Sequence, residues 1–186
     1  MRHFLYGFCL MTACSLFGCT DNLRDATSVA IAQTVKKSVS PDGKKFQWLA
    51  PELQVSHYRT LFYGYDSVYY RLVAQKSSAA DAGYRYQVSI DAHYGGTLRH
   101  YDAVRFADGS RPKLGFHSHD TERCQFFNNL VYACLFRDRA SFELSRSELE
   151  AARLTGLKPT LYSDQQDYEA IDLPANYIQG FLQAVQ

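Results

Sequence analysis

Residues 84–94 have the sequence YRYQVSIDAHY, in which apolar or aromatic side chains alternate strictly with polar ones. One set of alternate positions holds Tyr84, Tyr86, Val88, Ile90 and Ala92, and the other holds Arg85, Gln87, Ser89, Asp91 and His93. A period of two residues is typical of a strand that packs one face on a core and exposes the other. We therefore expect this segment to be a half-buried strand of an antiparallel sheet.

The segments on either side continue this pattern. Residues 68–75 alternate in the same way, and the glycine pair at 95–96 predicts a tight turn before a return strand at 98–106. The asparagine pair at 128–129 predicts a hairpin turn, because Asn tolerates positive φ. The two strands of that hairpin are expected at 124–127 and 130–136, and shorter strands at 114–119, 142–144, 157–162 and 168–173.

Two helices are expected in the last third of the chain. Ser145 followed by Glu148 fits a capping box, which predicts a helix over 146–155 that ends at Gly156. A proline costs nothing at the start of a helix, so Pro174 suits the first position of a second helix over 174–185. The apolar face of that second helix comprises Tyr177, Ile178, Phe181, Leu182 and Val185. The predicted fold class is α+β, mainly β, with an antiparallel sheet or sandwich and these two helices.

The C-terminal tail resembles that of small periplasmic domains of the invasion-associated locus B type. Those domains also end in a strand, a short helix, two strands and a helix that carries a Gly-Phe pair, here Gly180-Phe181. The resemblance covers residues 142–186 and does not extend to the first half of the chain. It implies a similar fold for this region and carries no function.

Length and charge restrict the class of protein. A chain of 186 residues suits a single domain, and 15% aromatic with 21% charged residues exclude a disordered protein. The 20 basic residues are balanced by 19 acidic ones, which gives a net charge of +1. Bulk charge of this size gives no support for binding nucleic acid, and we expect no nucleic-acid partner.

The N-terminus has the features of an export signal. A short basic segment at 1–3 precedes an apolar run at 4–17, which is shorter than the roughly 20 residues that a membrane-spanning helix requires. The run ends in Leu16-Phe17-Gly18-Cys19, which resembles the lipobox of bacterial lipoproteins, although Phe17 is bulkier than the usual residue there. The resemblance implies cleavage after residue 18, diacylation of the Cys19 thiol and acylation (palmitate) of the new amine. The alternatives are an ordinary signal peptide with a free Cys19, and a lipobox that ends at Cys14.

The residues after the lipobox bear on location and domain boundaries. Thr20 follows Cys19 where an inner-membrane retention signal would place Asp, so we expect the outer membrane, with the body on its periplasmic face, rather than the inner membrane. Polar, small residues predict a lipidated tether over 19–45 and one β-rich domain over 46–186. The alternative is that four apolar residues in the tether dock on the body: Val29, Ile31, Val35 and Val39.

Two motifs can carry chemistry. Cys124 and Cys134 face each other across the predicted hairpin, and an exported protein retains disulfides, so we expect a structural disulfide. On a regular strand His117 and His119 would share one face, where they could bind a metal ion together with His93 or His100. Two histidines on a polar strand face are more often solvated than bound to a metal ion. We therefore expect no metal site, and this pair is the candidate if the protein does bind one.

The function expected from the sequence is binding. The chain has no nucleophile elbow, phosphate-binding loop or dinucleotide motif, so nothing supports an enzyme or a cofactor. Tyrosines are concentrated between residues 58 and 101, and outward-facing ones such as Tyr69 and Tyr94 are candidates for a binding surface. We expect a lipid-anchored envelope protein whose partner is another envelope protein or peptidoglycan. The alternatives are a small hydrolytic or metal-dependent enzyme centred on His117 and His119, and an inhibitor or immunity-type lipoprotein.

Overall fold

The computed structural model describes residues 21–60, 64–79, 83–127, 130–163 and 168–186. The signal segment and Cys19 lie outside these residues. The elements follow in the order α1 (Asp21–Asp25), α2 (Ser28–Thr34), β1 (Lys36–Val39), β2 (Lys45–Leu49), β3 (Leu53–Thr60), β4 (Gly64–Ser77), β5 (Arg85–Gly96), β6 (Tyr101–Arg105), β7 (Leu114–Phe127), β8 (Leu130–Leu144), α3 (Arg146–Thr155), β9 (Thr160–Ser163), β10 (Tyr168–Ala170) and α4 (Ala175–Ala184). Among the described residues, no helix combines the length and apolar character needed to cross a membrane.

The strands form two antiparallel sheets. The large sheet has the order β1-β2-β4-β5-β8-β7, and β3 also pairs with β4. The small sheet has the order β10-β9-β6. The predicted class, α+β and mainly β with antiparallel sheet, is confirmed.

The alternation in β5 places one face of the large sheet on the core. Its buried positions begin at Tyr86 and run through every second residue to Tyr94. Helix α4 packs against this core, and its five predicted apolar residues are all buried. Helix α4 also crosses α2 so closely that a Cβ on Gly180 would come within 2.8 Å of the Ile31 Cβ, which is why a glycine is required there.

The N-terminal residues belong to the folded body, which corrects the predicted tether over 19–45 and the start of the domain at 46. Ile31 on α2 is fully buried in the core beside α4. The side-chain amide of Asn176 donates to the carbonyls of Ala26, Arg24 and Leu23, at 2.6, 3.0 and 3.4 Å. The docked alternative is therefore correct for Ile31 and Val35, whereas Val29 and Val39 are 60% and 52% exposed. Docking is favoured because the apolar side of α2 covers surface on α4 that would otherwise face water.

Several strand boundaries also differ from prediction. Residues 98–106 do not return along β5, because β4 and β8 already occupy both of its edges; β6 instead pairs with β9. Residues 142–144 are the end of the long strand β8, and the predicted strand at 114–119 is the first part of β7. The predicted turn at 128–129 lies outside the described residues.

The helix predictions are confirmed with small shifts. The N-cap Ser145 and Glu148 form both halves of the capping box, and Gly156 ends α3 with a positive φ of 78°. Helix α4 begins at Ala175, with Pro174 as its N-cap rather than its first residue.

Candidate functional site

The outer face of the large sheet presents its polar side chains in cross-strand rows. One row runs across β4, β5, β8 and β7 through Tyr69, Asp91, Arg139 and Ser118. The next row runs through Arg71, Ser89, Ser141 and Gly115. Three of the four side chains in this second row are small, so the face has a depression between larger neighbours.

The depression forms a groove across the sheet, which we call the sheet-face groove. Its larger part encloses about 550 Å³ and is lined by residues that include Gln87, Gly115, His117 and Ser141. Its smaller part encloses about 270 Å³ and is lined by Tyr69, Ser89, Asp91, Arg139 and others, again with His117. His117 therefore stands at the junction of the two parts. Volumes of this order are typical of sites for small or extended ligands.

The charged side chains of the groove are paired with charges of opposite sign, except Lys113, which lines the larger part and has no ion pair among the described residues. Arg71 lies 2.9 Å from Glu52, and Arg137 donates from Nε to Asp91 at 2.8 Å. The same pairing joins Arg85 to Glu143 and, at 3.7 Å, Arg139 to Asp120. The face thus offers many hydrogen-bonding groups but little net charge.

Asp91 shows the effect of this pairing. Partial burial alone would raise the pKa of its carboxyl, but the two hydrogen bonds and the positive charge of Arg137 outweigh burial and hold the pKa below its usual value. Asp91 is therefore a charged acceptor at neutral pH and is not suited to donate a proton.

His117 and Ser141 form the one pair in the groove with the composition of a nucleophile and a base. The His117 Nε2 lies 2.7 Å from the Ser141 Oγ. Within the described residues, the other ring nitrogen of His117 makes no hydrogen bond to a carboxylate. The pair therefore lacks the third group that orients the base in hydrolytic triads.

His119 does not share a face with His117, so the two candidate histidines cannot bind one metal ion together. A β-bulge between Phe116 and Ser118 inserts His117 as an extra residue, and the side-chain alternation is reset after it. His119 consequently points to the core side, where its Nδ1 hydrogen-bonds to the buried carboxylate of Asp138. No cluster of three or more potential metal ligands occurs in the described part of the chain.

The two other candidate histidines are also separated from this pair. His93 lies on the outer face, where its Nε2 is 3.2 Å from an oxygen of Asp91 and its Nδ1 is 3.4 Å from Glu122. His100 is exposed in the segment before β6.

A buried ionic network, which no pattern in the sequence predicts, joins the large sheet to the small one. Arg99 is 3% exposed, pairs with the buried Asp66, and lies 3.3 Å from the buried Glu169 through Nη1. Its guanidinium also lies 4.6 Å from the centroid of the Tyr94 ring and donates to the Tyr101 hydroxyl at 3.2 Å. A run of alternating apolar residues could have located Tyr94, but nothing local in the sequence brings Arg99 to acids 33 and 70 positions away.

The two tyrosine candidates have different outcomes. Tyr94 is 2% exposed and its hydroxyl donates to Asp138 at 2.8 Å, so it belongs to the core and is not a binding-surface residue. It occupies the same face as Tyr86 because the alternation of β5 continues to its end. Tyr69 lies on the outer face beside the groove, with its ring edge-to-face against the His93 ring at 5.5 Å.

The predicted disulfide is confirmed. Cys124 and Cys134 are opposite each other on β7 and β8 and are covalently joined. The bond closes the end of the hairpin far from the groove, which makes it a structural cross-link.

Comparison with known proteins adds no relative: no family model, curated protein or solved structure matches this chain.

Proposed function

We propose that this protein is a lipid-anchored binding protein of the bacterial envelope, and that the sheet-face groove is its binding site. The observation that carries the proposal is the groove itself, whose small-residue floor and paired charges give a polar, nearly neutral trough. The acyl groups on Cys19 would hold the body at the outer membrane, on its periplasmic face.

The disulfide supports an extracytoplasmic location. Disulfides persist in oxidising compartments and are rare in the cytosol. Together with the lipobox at Cys19, the Cys124–Cys134 bond favours export followed by lipidation. Metabolic labelling with palmitate tests the anchor directly: we expect label on the wild-type protein and none on Cys19→Ser, whereas equal labelling of both would refute it.

The chemistry of the groove favours a polar ligand of low net charge. Gln87, Ser89 and Ser141 offer neutral donors and acceptors, and the neighbouring arginines are already paired with carboxylates. The partly exposed ring of Tyr69 lies beside these groups and offers an aromatic surface to the apolar face of a sugar ring. Peptidoglycan glycan fits this description, and an extended segment of an envelope protein is the other partner that the groove could hold.

Blocking the floor of the groove tests the site. Ser89→Tyr places a ring in the trough, and Ser56→Tyr is the matched control, because Ser56 lies on β3 outside both parts of the groove. In co-sedimentation with purified peptidoglycan, we expect Ser89→Tyr to weaken binding about tenfold or more, as the loss of one well-made contact set does, and Ser56→Tyr to leave it unchanged. Equal binding by the wild type and both variants would remove the groove as the site.

The pair of His117 and Ser141 favours a second candidate, a hydrolase that acts on the same ligand. The two functions respond differently to Ser141→Ala. A binding site loses one hydrogen bond and retains most of its affinity, whereas a serine hydrolase loses essentially all turnover. Release of soluble fragments from peptidoglycan, abolished by Ser141→Ala, would establish the enzyme.

A further inference from the structure

The lysines of this chain are gathered at one end of the large sheet. Five of the seven lie on the β1–β2 hairpin or at the adjoining end of β4, and they are Lys36, Lys37, Lys44, Lys45 and Lys76. We call this set the lysine end. The hairpin segment 36–49 contains one acidic residue, Asp42, against four lysines.

Strand pairing builds a cleft within the lysine end. Lys37 lies opposite Trp48, and Lys76 lies opposite Phe46, so all four side chains share one face of the sheet. With Tyr84 they line an open cleft of about 340 Å³. The Lys37 Nζ is 5.0 Å from the Trp48 ring centroid, and the Lys76 Nζ is 4.9 Å from that of Tyr84. Both ammonium groups are therefore held in place by aromatic rings.

The five lysines of the lysine end have no ion pair among the described residues, although the charge of Asp42 acts on Lys45 from a longer distance. No carboxylate in those residues lies within ion-pairing distance of any of the five lysines. Asp42, the nearest acid in sequence, instead accepts hydrogen bonds from the Ser40 hydroxyl and the Lys44 backbone amide. The lysine end is consequently a concentrated positive surface on a chain whose net charge is only +1.

The arrangement of the lysines indicates the shape of what they bind. Lys37 and Lys76 lie on the cleft face of the sheet. Lys36 and Lys45 occupy the alternate positions of these strands and therefore lie on the opposite face. A small ligand would be held from one face, but a planar negative surface that meets the end of the sheet contacts both. Val39, 52% exposed near the tip of the hairpin, adds an apolar group at the same end.

We propose that the lysine end binds the phosphate headgroups of an anionic membrane and seats the folded body on the bilayer. Lys37 and Lys76 donate to phosphate oxygens, and the aromatic rings of the cleft lie at the level of the headgroups, where such side chains are favoured. The site is 17 residues after Cys19 in the chain, so anchor and surface can meet one membrane. The inference rests on the proposed anchor only for bringing the body to the bilayer.

The single tryptophan makes the site directly observable. Trp48 is the one Trp of the chain and lines the cleft, so its emission reports on this surface alone. The full chain with Cys19→Ser, which cannot be acylated there, is mixed with vesicles that carry a spin-labelled headgroup as a quencher. Residues 1–18 are common to every variant and contribute equally to each comparison. We expect quenching of Trp48 with phosphatidylglycerol vesicles and little with phosphatidylcholine vesicles.

Matched double substitutions locate the contact. Lys37→Gln with Lys76→Gln should weaken binding to phosphatidylglycerol vesicles about tenfold or more, in line with the contribution of a lysine at an anionic surface. Lys113→Gln with Lys158→Gln removes the same charge outside the lysine end and should leave binding within about twofold. Raised salt should weaken wild-type binding, because the interaction is between exposed charges. Circular dichroism of each variant verifies that it is folded.

Three results would overturn the proposal. The first is equal loss of binding in both double variants, and the second is Trp48 quenching that does not depend on vesicle charge. The third is that inorganic phosphate competes with the vesicles and by itself changes Trp48 emission as they do. That result would mean that the site binds a soluble phosphate compound. Palmitate labelling measures the anchor separately, so failure at the lysine end leaves the Cys19 proposal standing.

Discussion

The sheet-face groove and the lysine end hold their positive charges in opposite ways. In the groove every named arginine has a carboxylate beside it, as Arg71 has Glu52 and Arg137 has Asp91. At the lysine end the ammonium groups of Lys37 and Lys76 lie against aromatic rings and have no carboxylate partner in the described residues. A near-zero net charge thus conceals one surface on which all cations but Lys113 are paired with carboxylates, and one on which no lysine has an ion pair among the described residues.

The difference teaches where the chain can bind an ion and where it cannot. An external anion that binds an arginine already paired with a carboxylate must disturb that pair, and the free energy lost in doing so reduces its affinity. An unpaired lysine offers its full charge at no such cost. The groove is therefore suited to a neutral polar ligand, and the lysine end to an anionic surface.

Removing the partner of a charge costs the most free energy where that charge is buried. Substitution of Arg99 therefore has the largest expected effect on stability. Arg99→Met would leave Asp66 and Glu169 buried without their guanidinium, and we expect a loss of roughly 3–5 kcal/mol in the free energy of unfolding. Arg85→Met is the matched control, since Arg85 pairs with an exposed Glu143 and should cost less than about 1 kcal/mol. Urea denaturation followed by circular dichroism measures both. Similar losses in the two variants would show that burial does not set the value of these pairs.

The same network predicts sensitivity to alkali. Burial is the main cause that raises the pKa of Tyr101 to about 12, against an ordinary value of 10. A raised pKa means that the folded state favours the neutral phenol, so this stability is fully present below pH 10. It is lost as the pH rises from 10 through about 12, by an amount on the order of 2–3 kcal/mol.

Unfolding measured across this pH range, with tyrosinate absorbance recorded in parallel, checks the alkali prediction. Tyr101→Phe should flatten part of the dependence, although Tyr70, Tyr86, Tyr94 and Tyr177 also have pKa values that burial raises. A pH dependence identical in the wild type and Tyr101→Phe would contradict the assignment to Tyr101.

Local patterns in the sequence predicted the parts of the fold that local physics controls. The alternation of β5, the capping box of α3 and the apolar face of α4 each depend on residues within a few positions of each other. The prediction that residues 98–106 return along β5 was wrong, because strand pairing depends on which sheet edges are free. Only the whole topology determines which edges those are. The tether was wrong because the partner of Ile31 is a helix almost 150 residues later.

The candidate sites were less predictable for the same reason. His117 and His119 share a face only if β7 is regular, and one bulge with no evident sequence signal separates them. The lysine pairs at 36–37 and 44–45 are plain in the sequence, but their meaning depends on the register that places Lys37 opposite Trp48 and brings in Lys76 opposite Phe46.

The smallest expected effect tests the contrast between paired and unpaired cations most directly. Lys44→Gln with Lys45→Gln removes two like charges that lie near other lysines and over no ring, so repulsion decreases, and the attraction that is lost is that of Lys45 to the exposed carboxylate of Asp42. We expect the free energy of unfolding to stay constant or rise by about 0.5 kcal/mol or less, while Arg71→Gln, which breaks the pair with Glu52, lowers it by a similar amount. Opposite signs at low ionic strength that converge at high salt are the expected signature, because screening weakens both effects. A clear loss of stability in the lysine variant would mean that these charges serve the fold, and the surplus of positive charge would then need no ligand to explain it.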